Sequence, residues 1–171
     1  MTTDTETIRG WLTGRLPDDL FTGPPDIEID RDEIVVTGPI EAPALEEGAD
    51  AATKEAAVQG RVKRFREDTR GRRMKVAQDA EAKFGRKVSW GVRIDDSRYL
   101  FTHLSIPVMT RLRMAERRVL DTLVDSGAAS SRSDALAWCV RLVEKNQGEW
   151  LKDLRDAFEN VERVRSKGPQ G

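Results

Sequence analysis

Apolar residues first recur along the chain at helical spacing. Ile8, Trp11, Leu12 and Leu16 fall on one side of a helix predicted over about Thr5 to Arg15, which Pro17 ends. The period then switches to two. Asp26-Ile-Glu-Ile alternates, Ile34-Val-Val-Thr is β-branched, and Asp30-Arg-Asp-Glu between them has turn chemistry, so residues 26–38 predict a β-hairpin. Gly38 to Gly48, with two prolines and several acids, reads as a linker or surface loop. From about Ala49 to Phe84 the helical period returns: Val58, Val62, Phe65, Met74, Ala77, Ala80 and Phe84 share a face. Gly71 is the expected weak point of that helix, and Gly85 stands where a terminating glycine belongs. Lys87-Val-Ser-Trp-Gly-Val-Arg-Ile and Tyr99-Leu-Phe-Thr, joined by Asp95-Asp-Ser, predict a second hairpin.

The last third has a different grain. Ser105 to Leu112 reads as a strand whose more apolar face carries Ile106, Val108, Thr110 and Leu112. A helix over Arg113 to Asp125 follows, with Val119, Leu120, Leu123 and Val124 at helical spacing and Ser126-Gly127 as its stop. Ser131-Arg-Ser-Asp134 has capping-box spacing, in which Ser131 takes the N3 amide and Asp134 reaches back to the cap residue. Ala135, Leu136, Cys139, Val140 and Val143 define a second helix. Gly148 is expected to interrupt it before a final helix with Trp150, Leu151, Leu154, Phe158, Val161 and Val164 on one side, and the tail from Ser166 to Gly171 is expected to fray. The predicted fold class is α+β. Residues 1–103 form a hairpin, long helix, hairpin unit with an acidic N-terminal part. Residues 104–147 form a strand and two short helices, and residues 148–171 an amphipathic helix and tail.

The run Arg111-Leu-Arg-Met-Ala-Glu-Arg-Arg-Val-Leu-Asp-Thr-Leu-Val, then Gly127, then Ser131-Arg-Ser-Asp-Ala-Leu, resembles the ribbon-helix-helix family of bacterial DNA-binding regulators. The likeness covers about residues 105–145. It implies a module in which two chains intertwine and share an antiparallel two-stranded ribbon, which suits a unit too small to bury a core alone. By that resemblance Ser105, Pro107, Met109 and Arg111 face the major groove, and Ser131, Arg132 and Ser133 hold a phosphate at the start of the second helix. Arg111 is the one strong base reader of the four, with two donors suited to guanine.

Charge sharpens this picture. The net charge of −1 averages an N-terminal stretch, residues 1–50, with 13 acids against 3 bases, and a stretch, residues 61–87, with 11 bases against 4 acids. Within the latter, Arg61, Lys63, Arg64, Arg66, Arg70, Arg72, Arg73 and Lys75 form a helical basic run able to neutralise several phosphates. The competing reading is that the acidic stretch neutralises this helix within the fold or across a dimer. One histidine, His103, and one cysteine, Cys139, give no metal-ligand spacing and no nucleophile motif, so no cofactor, no metal and no catalysis are expected. No apolar run approaches the roughly 18 residues of a membrane span, and the N-terminus does not read as a signal peptide. The single cysteine fits a reducing cytosol. Together these predict a cytoplasmic, nucleoid-located homodimer that binds double-stranded DNA. The alternatives are a non-catalytic assembly dimer, and a protein that binds RNA or single strands through its N-terminal α+β unit.

Overall fold

The computed structural model describes residues 2–46 and 48–167. The chain is α+β, as expected. Its elements run α1 (Thr2–Arg15), β1 (Asp26–Ile29), β2 (Glu33–Pro39), α2 (Ala51–Asp68), α3 (Arg70–Phe84), β3 (Lys87–Ile94), β4 (Ser97–Leu100), α4 (Met114–Asp125) and α5 (Arg132–Lys167). They group into two compact units, one spanning Thr3–Ile106 and the other taking in Pro107 onward.

In the first unit both hairpins form, but they are not independent. β2 and β3 pair in parallel from Glu33↔Lys87 to Pro39↔Arg93, so one four-stranded sheet runs β1-β2-β3-β4. The registers place Ile27, Ile34, Val36, Val88, Trp90, Val92, Ile94 and Tyr99 on one face. That face packs with Ile8 and Leu12 of α1, Phe65 of α2 and Val76 of α3 in a single core. The opposite face carries a polar lattice: Arg98 pairs with Glu28 and donates to Thr37, and Ser89 donates to Glu33. At Gly38 a methyl group would lie 2.1 Å from the Phe21 ring, so β2 needs glycine there.

The long helix breaks at Thr69 and not at Gly71. The Thr69 hydroxyl donates to the Phe65 carbonyl at 2.6 Å and competes with the helix ladder, whereas Gly71 sits within the first turn of α3. That break organises a buried cation. Arg73 is only 7% exposed; its Nε donates to Thr69 Oγ1 at 2.9 Å and its Nη2 to the Arg66 carbonyl at 2.7 Å. Its guanidinium lies 4.9 Å from the Phe101 ring centroid and 5.9 Å from that of Trp90. Burial, and then the charges of Arg66 and Arg70, lower its pKa to about 10. Gly85 ends α3 in the left-handed region at φ 67°, as its place in the sequence predicts.

In the second unit α4 and α5 form, but residues 105–112 make no strand. A strand exists only by pairing, and among the described residues this segment has no neighbour to pair with. Val108 and Met109 are 82% and 96% exposed. The cap of α5 also departs from expectation. Ser131 Oγ accepts the Asp134 N–H at 3.2 Å, but Asp134 reaches back to the N–H of Ser130 at 2.9 Å, one residue earlier than a capping box would have it. The backbone interruption falls at Gln147 (φ −127°, ψ 23°), beside Gly148, within an α5 that otherwise continues to Lys167. Residues 168–171 of the expected frayed tail lie outside the described residues. The core of this unit consists of Leu120, Ala129 and Ala135, flanked by Leu112, Leu123, Val124, Leu136 and Cys139. Trp150, Leu154, Phe158, Val161 and Val164 line α5 exposed.

Two outcomes follow from these contacts. Arg73→Ala removes a buried, hydrogen-bonded cation and is expected to cost about 3 kcal/mol, whereas Arg73→Met keeps the packed stem and stays within about 1 kcal/mol of the parent. Urea unfolding checks both, and equal losses would show that the charge, not the packing, is what the site needs. The hydrogen bond from Arg132 lowers the Asp121 pKa, and the Ser130 N–H lowers that of Asp134, both from an ordinary value of 3.8. Their contribution to anchoring α5 is therefore full above pH 4 and is lost as pH falls through the lowered folded values. NMR titration of the two carboxyls should show midpoints below 3.8; ordinary midpoints would remove this anchor.

Candidate nucleic-acid interface

The crossover of α2 and α3 decides which cations face outward. Phe65, Val76 and Ala80 must point to the sheet, and on a 3.6-residue period this turns Lys63, Arg64, Arg66, Arg70 and Lys75 to solvent, with Arg61 half-buried. None of these six forms an ion pair among the described residues. Two members of the run are already committed. Arg72 holds Asp19 with both contacts at 2.7 Å, and the guanidinium in turn lowers the pKa of that carboxyl. Arg73 is interior, so it is withdrawn from the set of phosphate contacts that its place in the sequence suggests. The acidic stretch thus neutralises the basic helices at one point. Its other ion pairs, Arg86 with Asp4 and Arg98 with Glu28, lie off the run, and Arg15 reaches out from that stretch to Asp79 on α3.

A groove of about 530 Å³ opens between α2 and the β4 edge of the sheet. Lys63 and Arg66 border it on one side, Tyr99 and Phe101 on the other, and His103 lies at its end, while the Arg98 guanidinium turns to the opposite face of the sheet, where Thr37 and Glu28 hold it. The spacing along the chain gives no hint of this cluster, because β4 and α2 are brought together only by the parallel pairing of β2 and β3.

Ser105, Met109 and Arg111 are exposed, and Arg111 has no ion-pair partner among the described residues. Ser105 falls at the end of the first unit rather than in the second. The phosphate anchor expected at Ser131, Arg132 and Ser133 is already satisfied in large part from within. Arg132 grips Asp121 through Nε at 2.6 Å and Nη2 at 2.9 Å, and the Ser131 hydroxyl accepts the Asp134 amide. Ser133 remains exposed. A second groove, of about 640 Å³, lies beside the extended segment 108–112, with Leu120 and Leu136 below it and Arg111, Arg117 and Arg132 around it. Among the described residues there is no group of three His, Cys, Asp or Glu side chains that could hold a metal ion, and no helix is long and apolar enough to cross a membrane.

Comparison with known proteins matches residues 6–100 to the family described as Rv1265-like protein, N-terminal domain, and residues 113–165 to the Mb1296 C-terminal domain. The boundary between the two matches falls in the same stretch as the boundary between the compact units. Two mycobacterial relatives, uncharacterized proteins Mb1296 of Mycobacterium bovis and Rv1265 of Mycobacterium tuberculosis, are each 52% identical over 159 residues, covering 93% of this chain and 69% of theirs. No solved structure matches. With more than half its length matched by one family and two thirds of each relative covered at that identity, the chain belongs to the Rv1265-like family.

Proposed function

We propose that this chain is a homodimeric DNA-binding protein, a transcriptional regulator or nucleoid-associated protein, whose affinity comes from α2 and α3 and whose dimer comes from a ribbon-helix-helix-like module. The observation that carries the reading is the set of six cations, Arg61, Lys63, Arg64, Arg66, Arg70 and Lys75, left without carboxylate partners among the described residues although the first fifty residues are strongly acidic. Had the acids served to neutralise the helices, more than Arg72 would be paired. Unpaired arginines and lysines on one helical crossover supply the counterion-releasing contacts of sequence-blind phosphate binding.

The second unit supports the dimer. Among the described residues its core holds three buried side chains, and of segment 105–112 Leu112 packs against them while Ile106, Val108 and Met109 stay exposed. A second copy of the same segment would pair the free backbone and bury Ile106, Val108 and Leu112 together. Arg111, on the alternate side of that segment, would then face outward as the base-reading residue.

The structure changes which variants are informative. Lys63→Gln, Arg66→Gln and Arg70→Gln together should weaken duplex binding equally for all sequences and lower the slope of log K against log salt by about 2–3, near 0.9 per phosphate contact. Arg111→Ala should cost about 1–3 kcal/mol on some sequences and little on others. Gel retardation at two salt concentrations measures both; a protein that retards no duplex at low salt is an assembly protein, and the DNA reading fails. Val108→Asp should convert the dimer to monomer in sedimentation velocity. In a chain that is monomeric already, so exposed a position would accept the change within about 0.5 kcal/mol and without altering mass.

A further inference from the structure

The second half of α5, beyond the interruption at Gln147, carries an apolar stripe. Trp150, Leu154, Phe158, Val161 and Val164 are between 53% and 70% exposed and Leu151 is half-buried. Among the described residues none of the six belongs to the core of the second unit. Leu151, Leu154, Phe158 and Val161 recur at intervals of three, four and three, the seven-residue period of helices that pair with helices. The two flanks of that seam differ in kind. On one stand Trp150, Ala157 and Val164, all apolar. On the other the sequence runs from basic, with Lys152 and Arg155, to acidic, with Glu159 and Glu162.

These features select one partner. A membrane surface favours a polar face rich in lysine and arginine, whereas residues 149–165 hold five acids and four bases. A second copy laid parallel would set the charged flank of one helix against the apolar flank of the other. Laid antiparallel, apolar flank meets apolar flank, and the basic half of the charged flank meets the acidic half. One antiparallel register suits every apolar position. With Leu154 level with the partner's Phe158, Leu151 comes level with the partner's Val161, Trp150 flanks the partner's Val164, and Ala157 lies beside its own copy. The smallest side chain of the stripe thus falls at the two-fold axis, where it meets itself. We infer that the second half of α5 is an antiparallel pairing surface for the same segment of a second copy of this chain. The pair buries on the order of 1,000 Å², the lower bound for a specific interface, so the association is reversible and governed by concentration. It uses no residue of segment 105–112 and none of the basic run, and so stands apart from both contacts of the DNA reading.

Sedimentation velocity of the full chain over a concentration series tests it, in the Val108→Asp background so that any ribbon contact is absent. The mass should rise about twofold from dilute to concentrated solution, and Leu154→Glu with Phe158→Glu should abolish that rise. Both positions are exposed and glutamate is a good helix former, so the helix is kept. A single mass at all concentrations, or a rise that survives the two glutamates, overturns the inference. Since every protein in this series lacks the ribbon contact, failure of the ribbon reading leaves the result untouched. Cross-linking reads the orientation, in a chain whose native thiol is removed by Cys139→Ala. A short bismaleimide should join Ala157→Cys to its copy about tenfold faster than Asp156→Cys, one residue away on the outer face. Equal rates at the two positions, which a parallel pair or chance collision would give, overturn it as well.

Discussion

Two parallel strands cannot be joined by a tight turn, and that constraint shapes the first unit. β2 and β3 lie side by side in parallel, so the chain must leave one end of the sheet and return to the other, which takes a crossover of a dozen residues or more. Here the crossover is α2 and α3, Ala51 to Phe84, and a helix laid on a sheet has one inward face. Phe65, Val76 and Ala80 take it. Every charged residue of the run 61–75 except Arg73 is thereby left on the outer or flanking faces. The basic surface is thus a consequence of topology acting on a helical period. The same pairing brings β4 alongside α2 and so creates the groove bordered by Lys63, Arg66, Tyr99 and Phe101.

Arg73 shows how the unit accommodates the one cation that falls on the inner face. Lacking a buried carboxylate, it is held by a hydroxyl, a helix-end carbonyl and two aromatic rings, each of which prefers a cation to a neutral group. The Thr69 break serves this arrangement, because the hydroxyl that disturbs the helix ladder is also the acceptor for Arg73 Nε. One irregularity in the backbone and one misplaced charge therefore offset each other. Arg73 is in this way part of the core, while its neighbours at 70 and 75 face solvent.

Much of this was legible in the sequence, and what was not has definite causes. Period alone locates α1, both hairpins, the crossover helix and α4, and Gly85 and Gly127 mark helix ends by conformation. Period cannot say that β2 pairs with β3, since a register between strands some fifty residues apart leaves no local trace. It could not place the break at Thr69, because glycine weakens a helix everywhere whereas threonine does so only when its hydroxyl finds a use. Nor could it foresee that Arg132 turns to Asp121 instead of staying free, a contact made between two helices. The basic run was visible as charge, but its division into paired Arg72, buried Arg73 and six unpaired cations required the fold.

The whole-chain charge of −1 is consequently a poor guide to partners. At physiological salt the screening length is about 8 Å, so a polyanion approaching α2 and α3 senses the cations beneath it and little of the acids elsewhere. Neutralisation must therefore be judged by distance, and by distance it is sparse: Asp19 meets Arg72, and Arg61, Lys63, Arg64, Arg66, Arg70 and Lys75 meet no carboxylate among the described residues. Keeping like charges adjacent on one crossover costs stability that a surface of mixed sign would not. In the proposed reading a phosphate ligand compensates that cost on binding, and the acidic first fifty residues keep the free protein from carrying a large net positive charge while leaving the local field intact.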